Sequence, residues 1–198
     1  MSSKEKNRQK IIMAALTAFA ENGFERTSMD EIVRLSGLSK GTLYWHFKNK
    51  QELFISTLQY AFQEIGQQLA ALVELDAPAS GRIRDFFEQA GDFIFSGKDL
   101  IGLLTDAFFQ SYRNREAQQV MLDIYKGYIN SVSQIIQQGI DRGEFRQVDP
   151  HITAITLMAG GDGVAFYVLL DTEWDLKVAL TTMVDLLLEG LQKEPDDQ

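Results

Sequence analysis

Residues 27–50 read TSMDEIVRLSGLSKGTLYWHFKNK, and this stretch decides the fold of the amino-terminal region. Ser28 suits the N-cap of a short helix, because its hydroxyl can accept the backbone N–H of Glu31, whose carboxylate can reach back in a capping box. Gly37 can adopt the left-handed backbone that ends such a helix. Ser39 then suits the N-cap of a second helix. The stretch therefore predicts two short helices joined by a tight turn, as in a helix-turn-helix.

The second helix of this stretch carries side chains suited to a DNA duplex. Its small first turn would let the backbone approach base edges, and hydroxyl, ring N–H and ammonium groups follow as donors to phosphate oxygens. The alternative is that its aromatic residues are core residues, which we favour for Phe47 and consider weaker for Tyr44 and Trp45. The predicted DNA-binding residues are Thr27, Ser28, Ser39, Lys40, Gly41, Thr42, Tyr44, Trp45, His46 and Lys50.

Over residues 8 to 55 the sequence closely resembles the DNA-binding domain of the tetracycline-repressor (TetR/AcrR) family. The resemblance implies a homodimeric transcriptional regulator, usually a repressor, that binds a palindromic operator on double-stranded DNA and is released by a small-molecule inducer. Trp45 is unusually bulky for its place in the second helix, so the operator sequence cannot be inferred. The matching residues are Phe24, Thr27, Ile32, Gly37, Ser39, Gly41, Leu43, Tyr44, His46, Phe47, Lys50 and Leu53.

The net charge of −9 would disfavour a polyanionic partner if it were spread evenly over the chain. Residues 1–50 contain nine Lys and Arg against five Asp and Glu, whereas residues 51–198 contain ten against twenty-three. The first segment is therefore basic, at +4, and the second is acidic, at −13. Because charges are screened over about 10 Å at ordinary salt, the local patch governs contact with phosphate.

The amino-acid composition limits the classes of protein to which the chain can belong. Hydrophobic residues make up 45% of the chain, which suffices for a core, and no apolar run is long enough to span a membrane. Cysteine is absent, and His46 and His151 do not form a metal-ligand spacing. The amino terminus lacks the apolar region of a signal peptide. We therefore expect a cytoplasmic protein with no metal, no cofactor and no membrane association.

Three short matches to catalytic motifs lack the structure that those motifs need. Residues 37–41 spell G-x-S-x-G between capped helices rather than after a strand. Residues 91–99 place Asp where a P-loop needs Ser or Thr, and residues 161–163 lack the third glycine of a dinucleotide fingerprint. We expect no enzyme. The remaining alternative is an all-helical adaptor or small-molecule-binding protein without DNA binding, which would leave residues 27–50 unexplained.

Helical periodicity continues along the whole chain, and alternating strand patterns are missing. The prediction is an all-α protein of about nine helices. We expect a helix-turn-helix DNA-binding domain over residues 1–50, with the start of helix four to about residue 55. A helical regulatory and dimerisation domain follows over residues 51–198. Helix four, from Asn49 toward Glu74, would connect the two, and the tail at 194–198 is predicted to be disordered.

The last two long helices are apolar on more than one face, so one face can cover the core while another requires a partner. A two-fold bundle formed with a second copy of the chain would satisfy both faces. The alternative is a wholly intramolecular core. The predicted homodimer interface comprises Ile155, Gly160, Val164, Leu180, Met183 and Leu187.

Aromatic residues between the fourth and eighth helices suggest a ligand cavity, although such residues more often form a core. Asp106 and Asp162 each interrupt an apolar helix, where a carboxylate is costly unless paired. Asp106 could meet Arg113 or Arg115, face solvent, or await a cationic ligand. The hypothetical inducer is an amphipathic aromatic molecule, and a cation is one option. The predicted ligand-binding residues are Phe62, Phe86, Phe93, Asp106, Phe109, Tyr125, Tyr128 and Phe166.

Overall fold

The computed structural model describes residues 2–96, 98–170 and 173–192. The side chains at 64, 93–100 and 168–169 lie outside the described residues, and so does the tail at 194–198 that is predicted to be disordered. The described residues form nine α-helices, a 3-10 turn at Tyr167–Leu170 and, instead of strands, an isolated bridge between Phe145 and Gln192. The all-α prediction is confirmed. The helices are α1 (Ser3–Arg26), α2 (Met29–Ser36), α3 (Lys40–His46), α4 (Lys50–Glu74), α5 (Ala79–Ser96), α6 (Lys98–Arg113), α7 (Arg115–Asp141), α8 (Pro150–Phe166) and α9 (Leu176–Glu189).

Local capping residues set the boundaries of α2 and α3. The Ser28 hydroxyl accepts the N–H of Glu31 at 3.2 Å, and the Ser39 hydroxyl accepts the N–H of Thr42 at 3.1 Å. Gly37 ends α2 in the left-handed conformation, with φ 66° and ψ 17°. Only one half of the predicted capping box forms. The Glu31 carboxylate accepts a hydrogen bond from the side-chain amide of Asn22 rather than from the backbone N–H of Ser28.

A bend near the end of α1 directs the chain into α2. Gly23 has φ 76° and ψ 165°, a region that is essentially restricted to glycine because a Cβ would clash there. Gly23 is therefore a bend rather than the end of the helix, and one further turn continues to Arg26. Thr27 closes that turn through its backbone N–H, which donates to the Gly23 carbonyl at 3.3 Å.

The first compact unit comprises Met1–Glu64 and Lys98–Ile124. Helix α1 packs against α2, α3 and α6 in this unit. The rings of Phe19, Phe24 and Phe54 form its aromatic centre, with centroid separations of 4.8 to 5.9 Å. These rings join the end of α1 to the start of α4, so the bend is embedded in the core.

The second compact unit comprises Ile65–Gly97 and Tyr125–Gln198, and in it α9 packs against both α5 and α8. Arg82 is fully buried in this unit and donates to the carbonyls of Leu72 and Val73 at 3.2 Å each. It thereby supplies a donor to carbonyls in the last turn of α4, beyond which no further helical turn follows. None of the helices in the described residues is long and apolar enough to cross a membrane.

Candidate nucleic-acid interface

Helix α3 is anchored from behind by two buried residues that lie four positions apart. Leu43 and Phe47 are almost completely buried in the first unit, so the opposite side of this seven-residue helix faces solvent. Tyr44 is 43% exposed and Trp45 is 64% exposed. Large aromatic side chains are normally buried, so exposure of both on one short helix indicates a surface that meets a partner.

The amino terminus of α1 places two cations beside α3. The ammonium of Lys4 lies 4.7 Å from the centre of the Trp45 ring, and the guanidinium of Arg8 lies 5.2 Å from that of Phe47. Arg8 also donates to the Ser56 hydroxyl at 3.2 Å. Sequence reasoning left Lys4 and Arg8 out of the predicted site. Their position at a helix start, where positive charge opposes the helix dipole, is a signal that could have identified them.

The first turn of α3 presents further polar groups on the surface. The hydroxyls of Ser39 and Thr42 lie 2.8 Å apart, and Gly41 between them is exposed. Lys40 forms an exposed ion pair with Asp30 at 2.7 Å, and this hydrogen bond raises the pKa of Lys40. An exposed pair of this kind contributes little to stability, so Lys40 can exchange Asp30 for a phosphate at small cost.

His46 sits at the last turn of α3, and its surroundings keep it neutral near pH 7. Partial burial lowers the pKa of His46, and the nearby charges of Lys4 and Arg8 lower it further. A neutral imidazole can donate one hydrogen bond to a phosphate without adding to the net charge of the surface. Ser28, at the start of α2, is exposed, and its hydroxyl can donate to a phosphate as well.

Two of the predicted DNA-binding residues have internal roles instead, so the prediction was wrong for Thr27 and Lys50. Thr27 is only 2% exposed, and its hydroxyl donates inward to the carbonyls of Ala18 and Gly23 at 3.0 and 2.8 Å. The Lys50 ammonium donates to three backbone carbonyls at 2.7 to 3.1 Å. Because an ammonium has three protons, Lys50 has none left for a phosphate.

The predicted ligand-binding residues fall into both units. Phe62, Asp106 and Phe109 belong to the first unit, and the Phe93 side chain lies outside the described residues. Asp106 meets neither of the arginines considered for it, because its carboxylate accepts the backbone N–H of Phe24 at 2.5 Å. Phe109, also a predicted ligand-binding residue, is 64% exposed, so its ring is not enclosed within the first unit.

Four aromatic and acidic residues come together in the second unit. The rings of Phe86 and Tyr128 meet edge to face at 6.3 Å. Tyr125 forms a hydrogen bond with Asp162. Burial raises the pKa of Asp162 to about 6, although the hydrogen bond from the Tyr125 hydroxyl acts to lower that pKa. Burial raises the pKa of Tyr125 and of Tyr128, so both remain neutral phenols. This cluster joins apolar rings to a small polar centre, and sequence reasoning named Asp162 without including it in the site.

The predicted dimer residues divide into buried and exposed groups. Leu180 is only 6% exposed and lies in the core of its own unit. Gly160 lies close to Met183, because a Cβ at Gly160 would be 2.9 Å from the Met183 sulfur. Leu180 therefore cannot face a second subunit, and Gly160 and Met183 pack on each other within one chain. Ile155 is exposed, whereas Val164 and Leu187 are half-buried. The exposed apolar residues of α8 and α9 include Ile152, Ile155, Phe166, Val178 and Leu186.

No group of acidic or histidine side chains within the described residues could hold a metal ion. What the first unit offers is a short helix anchored from behind by its apolar face, with exposed aromatics in front and basic residues on its flanks. This combination defines the helix-turn-helix class of DNA-binding proteins.

Two family models match the chain. Residues 11–57 match "Bacterial regulatory proteins, tetR family", and residues 104–190 match "YsiA-like protein, C-terminal region". The chain belongs to the TetR family and is a DNA-binding transcriptional regulator. The alternative of a helical adaptor without DNA binding is not favoured.

Individual proteins of known sequence or structure are similar to this chain over nearly its full length. The fatty acid metabolism regulator protein of Bacillus subtilis is 24% identical over 196 residues, covering 98% of this chain and 100% of that protein. A SmeT–triclosan complex has a TM-score of 0.82 at 23% identity and covers 96% and 93% of the two chains. The Bacillus subtilis regulator FadR, in complex with stearoyl-CoA, has a TM-score of 0.78 at 24% identity and covers 93% and 99%.

Proposed function

We propose that this protein represses transcription as a homodimer that places helix α3 of each subunit in the major groove of a palindromic operator. The supporting observation is the exposure of Tyr44 and Trp45 on a helix whose opposite side is buried through Leu43 and Phe47. Two such helices in a two-fold dimer would read half-sites about one helical turn apart, roughly 34–36 Å.

The exposed side chains of this region can be sorted by the part of DNA that they would contact. Tyr44 and Trp45 offer ring edges to bases, and Thr42 offers a methyl group for thymine. The remaining groups are phosphate donors, which fix the position of the protein without reading sequence. They comprise Lys4, Arg8, Ser28, Ser39, Lys40, His46 and Lys48. In this proposal residues 1–50 bind DNA and residues 51–198 regulate and dimerise.

The proposed homodimer forms through the exposed apolar faces of α8 and α9. Ile152 and Ile155, with Phe166 further along α8, recur at helical spacing, so they lie on one side of that helix. Val178 and Leu186 supply the matching exposed face of α9. Exposed apolar faces on two packed helices favour a self-complementary, two-fold contact.

The proposed inducer is a small amphipathic molecule that binds beside Phe86, Tyr125, Tyr128 and Asp162. The rings would contact its apolar part, and the polar centre would take one donor or cationic group. The ligands named for the structurally similar proteins, triclosan and stearoyl-CoA, share an apolar body with a polar end. We further propose that the protein acts in the cytoplasm, where the operator is, and that it catalyses no reaction.

DNA binding is tested by footprinting the purified protein on the region upstream of its own gene. Fluorescence anisotropy with the protected sequence would then give the affinity. We expect a palindromic footprint and nanomolar binding, on the order of 10⁻⁸ M or tighter at physiological salt. A protein that binds this region no better than unrelated DNA would contradict the proposal.

Ligand binding is tested with three probes of different chemistry: a hydrophobic amine, a chlorinated phenol and a long-chain acyl thioester. Each is titrated into the protein–operator complex while anisotropy reports release of DNA. Release by a factor of about one hundred requires only a 2–3 kcal/mol difference in ligand affinity between the two conformations. If no probe releases DNA, or if Tyr128→Ala leaves release unchanged, the proposed ligand site is wrong.

A further inference from the structure

The bend at Gly23 leaves one backbone group without its helical partner. In a straight helix the N–H of Phe24 would donate to the carbonyl of Ala20, four residues earlier. Because Gly23 leaves the helical conformation, this N–H is redirected, and it donates to the Asp106 carboxylate of α6 at 2.5 Å. A buried N–H that lacked this acceptor would be costly.

Glycines on both helices leave room for the contact between the Phe24 N–H and the Asp106 carboxylate. A Cβ at Gly23 would lie 3.2 Å from the same Asp106 oxygen, so a larger residue would crowd the carboxylate as well as strain the backbone. Helix α6 also runs close to the preceding turn, because a Cβ at Gly102 would lie 3.4 Å from the Ala20 carbonyl oxygen. The two glycines therefore allow α6 to approach the bend from one side.

The other side of the bend is held by α4. The Lys50 ammonium donates to the carbonyl of Phe24 at 2.7 Å and lies 4.5 Å from the centre of its ring. It also donates to the carbonyls of Glu25 and Thr27. The backbone of Phe24 is thus fixed by a carboxylate on its N–H and by an ammonium on its carbonyl, each from a different helix.

We propose that Asp106 is a positioning residue for DNA recognition, acting through the Phe24 N–H. The bend sets the direction in which the chain enters α2, and α2 leads through Gly37 into α3. Without the Asp106 acceptor the last turn of α1 would sample other directions, and DNA would have to order it on binding. This inference rests on the proposed function, because it assumes that α3 reads DNA.

The test is a graded series at this position with matched controls. Asp106→Asn keeps a side-chain acceptor of nearly the same shape, whereas Asp106→Leu removes it. Asp123→Asn removes an exposed carboxylate from the same unit. Ala107→Gly destabilises α6 next to Asp106 while leaving the Asp106 carboxylate in place. Operator affinity, melting temperature and hydrogen exchange of the Phe24 amide are measured for each variant.

We expect Asp106→Leu to weaken operator binding roughly tenfold or more and to abolish protection of the Phe24 amide, because a hydrogen bond to a charged acceptor is lost. Asp106→Asn should stay within about threefold of the wild type and keep that protection, since a neutral acceptor remains. Ala107→Gly should lower the melting temperature and leave both other readouts unchanged. If Asp106→Leu unfolds, Asp106→Ala takes its place with the same expectation.

Two outcomes would overturn the inference and are distinguishable from failure of the proposed function. Unchanged affinity in Asp106→Leu, with wild-type protein binding its operator, would show that the contact does not position α3. Equal losses in Asp106→Leu and Ala107→Gly would show that stability accounts for the effect. If the wild type binds no operator, the proposed function fails, and the positioning role for DNA fails with it.

Discussion

The helix-turn-helix segment and the last two helices both leave large side chains exposed, but the surroundings of those side chains differ. Tyr44 and Trp45 on α3 stand among basic residues, and the ammonium of Lys4 lies over the Trp45 ring. Ile155 on α8 and Leu186 on α9 belong to a set of exposed apolar residues on the last two helices. The first surface fits a partner that is anionic and presents flat base edges, whereas the second fits another apolar surface.

This difference shows how a strongly acidic protein can hold DNA. The basic residues are concentrated in residues 1–50, and the remaining 148 residues carry the negative charge. In the proposed homodimer, the basic segment over residues 1–50 would be present twice. The comparison therefore predicts that charge should disrupt the second surface, whereas loss of aromatic or basic groups should disrupt the first.

The largest effect is expected from a charge on the apolar surface. Leu186→Glu would place a carboxylate in the proposed dimer contact, where desolvation is costly, and should weaken dimerisation by about 100-fold or more. Sedimentation equilibrium measures the change, and operator binding should fall in parallel. Leu122→Glu, at an exposed leucine of α7, is the control and should remain dimeric. A dimeric Leu186→Glu protein would rule out this contact.

The next effect concerns the aromatic groups of α3. Tyr44→Ala and Trp45→Ala should each weaken operator binding about 10- to 100-fold, because each removes roughly 1–3 kcal/mol of contact with DNA. Anisotropy titration measures the loss. The free energy of unfolding should change by less than about 0.5 kcal/mol, since both side chains are exposed. Operator binding at wild-type strength in both variants would contradict a role in recognition.

The third effect concerns Asp162 in the second unit, whose raised pKa makes stability depend on pH. Below pH 4 Asp162 is protonated in both the folded and the unfolded state. Above pH 6 its carboxylate is ionised in the folded state too, and the free-energy cost of burying that charge is then at its maximum. A rise from 3.8 to about 6 corresponds to at most about 3 kcal/mol. Asp162→Asn should therefore stabilise the protein increasingly from pH 4 to 7. Denaturant unfolding measures this, and a pH-independent difference would contradict it.

The smallest effect distinguishes two neighbouring lysines, Lys48 and Lys50. The logarithm of operator affinity should fall with the logarithm of salt concentration with a slope of roughly −5 to −7 for the dimer. Lys48→Ala should reduce that slope by about 2, one contact per subunit. Lys50→Ala should lower stability and leave the slope unchanged, because its ammonium is already bound internally. Equal slopes for both variants would contradict the distinction.

The helix-turn-helix was predictable because its signals are local. Ser28, Gly37 and Ser39 act on backbone groups two or three residues away, or on their own backbone, so the sequence around each contains the whole interaction. The same holds for Asp149 and Asp175, which cap α8 and α9 through backbone N–H groups two or three residues away. The range of α4 was also close to the predicted one, from Asn49 toward Glu74, since hydrophobic periodicity extends over many residues.

The roles of single charged residues were not predictable, because they depend on contacts between distant parts of the chain. Asp106 and Phe24 are 82 residues apart, and Lys50 reaches carbonyls 23 to 26 residues earlier. An apolar stripe also does not reveal which side meets its own chain, which is why Leu180 was assigned to the dimer. Only packing distinguishes a structural ammonium from one that is available to DNA.

The central claim, that α3 lies against DNA, is tested most directly by the fluorescence of Trp45. The chain has two tryptophans, so Trp174→Phe leaves Trp45 as the single reporter. Adding operator to saturation should change the intensity or wavelength of its emission, and the midpoint should match the affinity from anisotropy. Unrelated DNA at the same concentration should leave it unchanged. Saturated operator binding with no change in Trp45 emission would contradict the account.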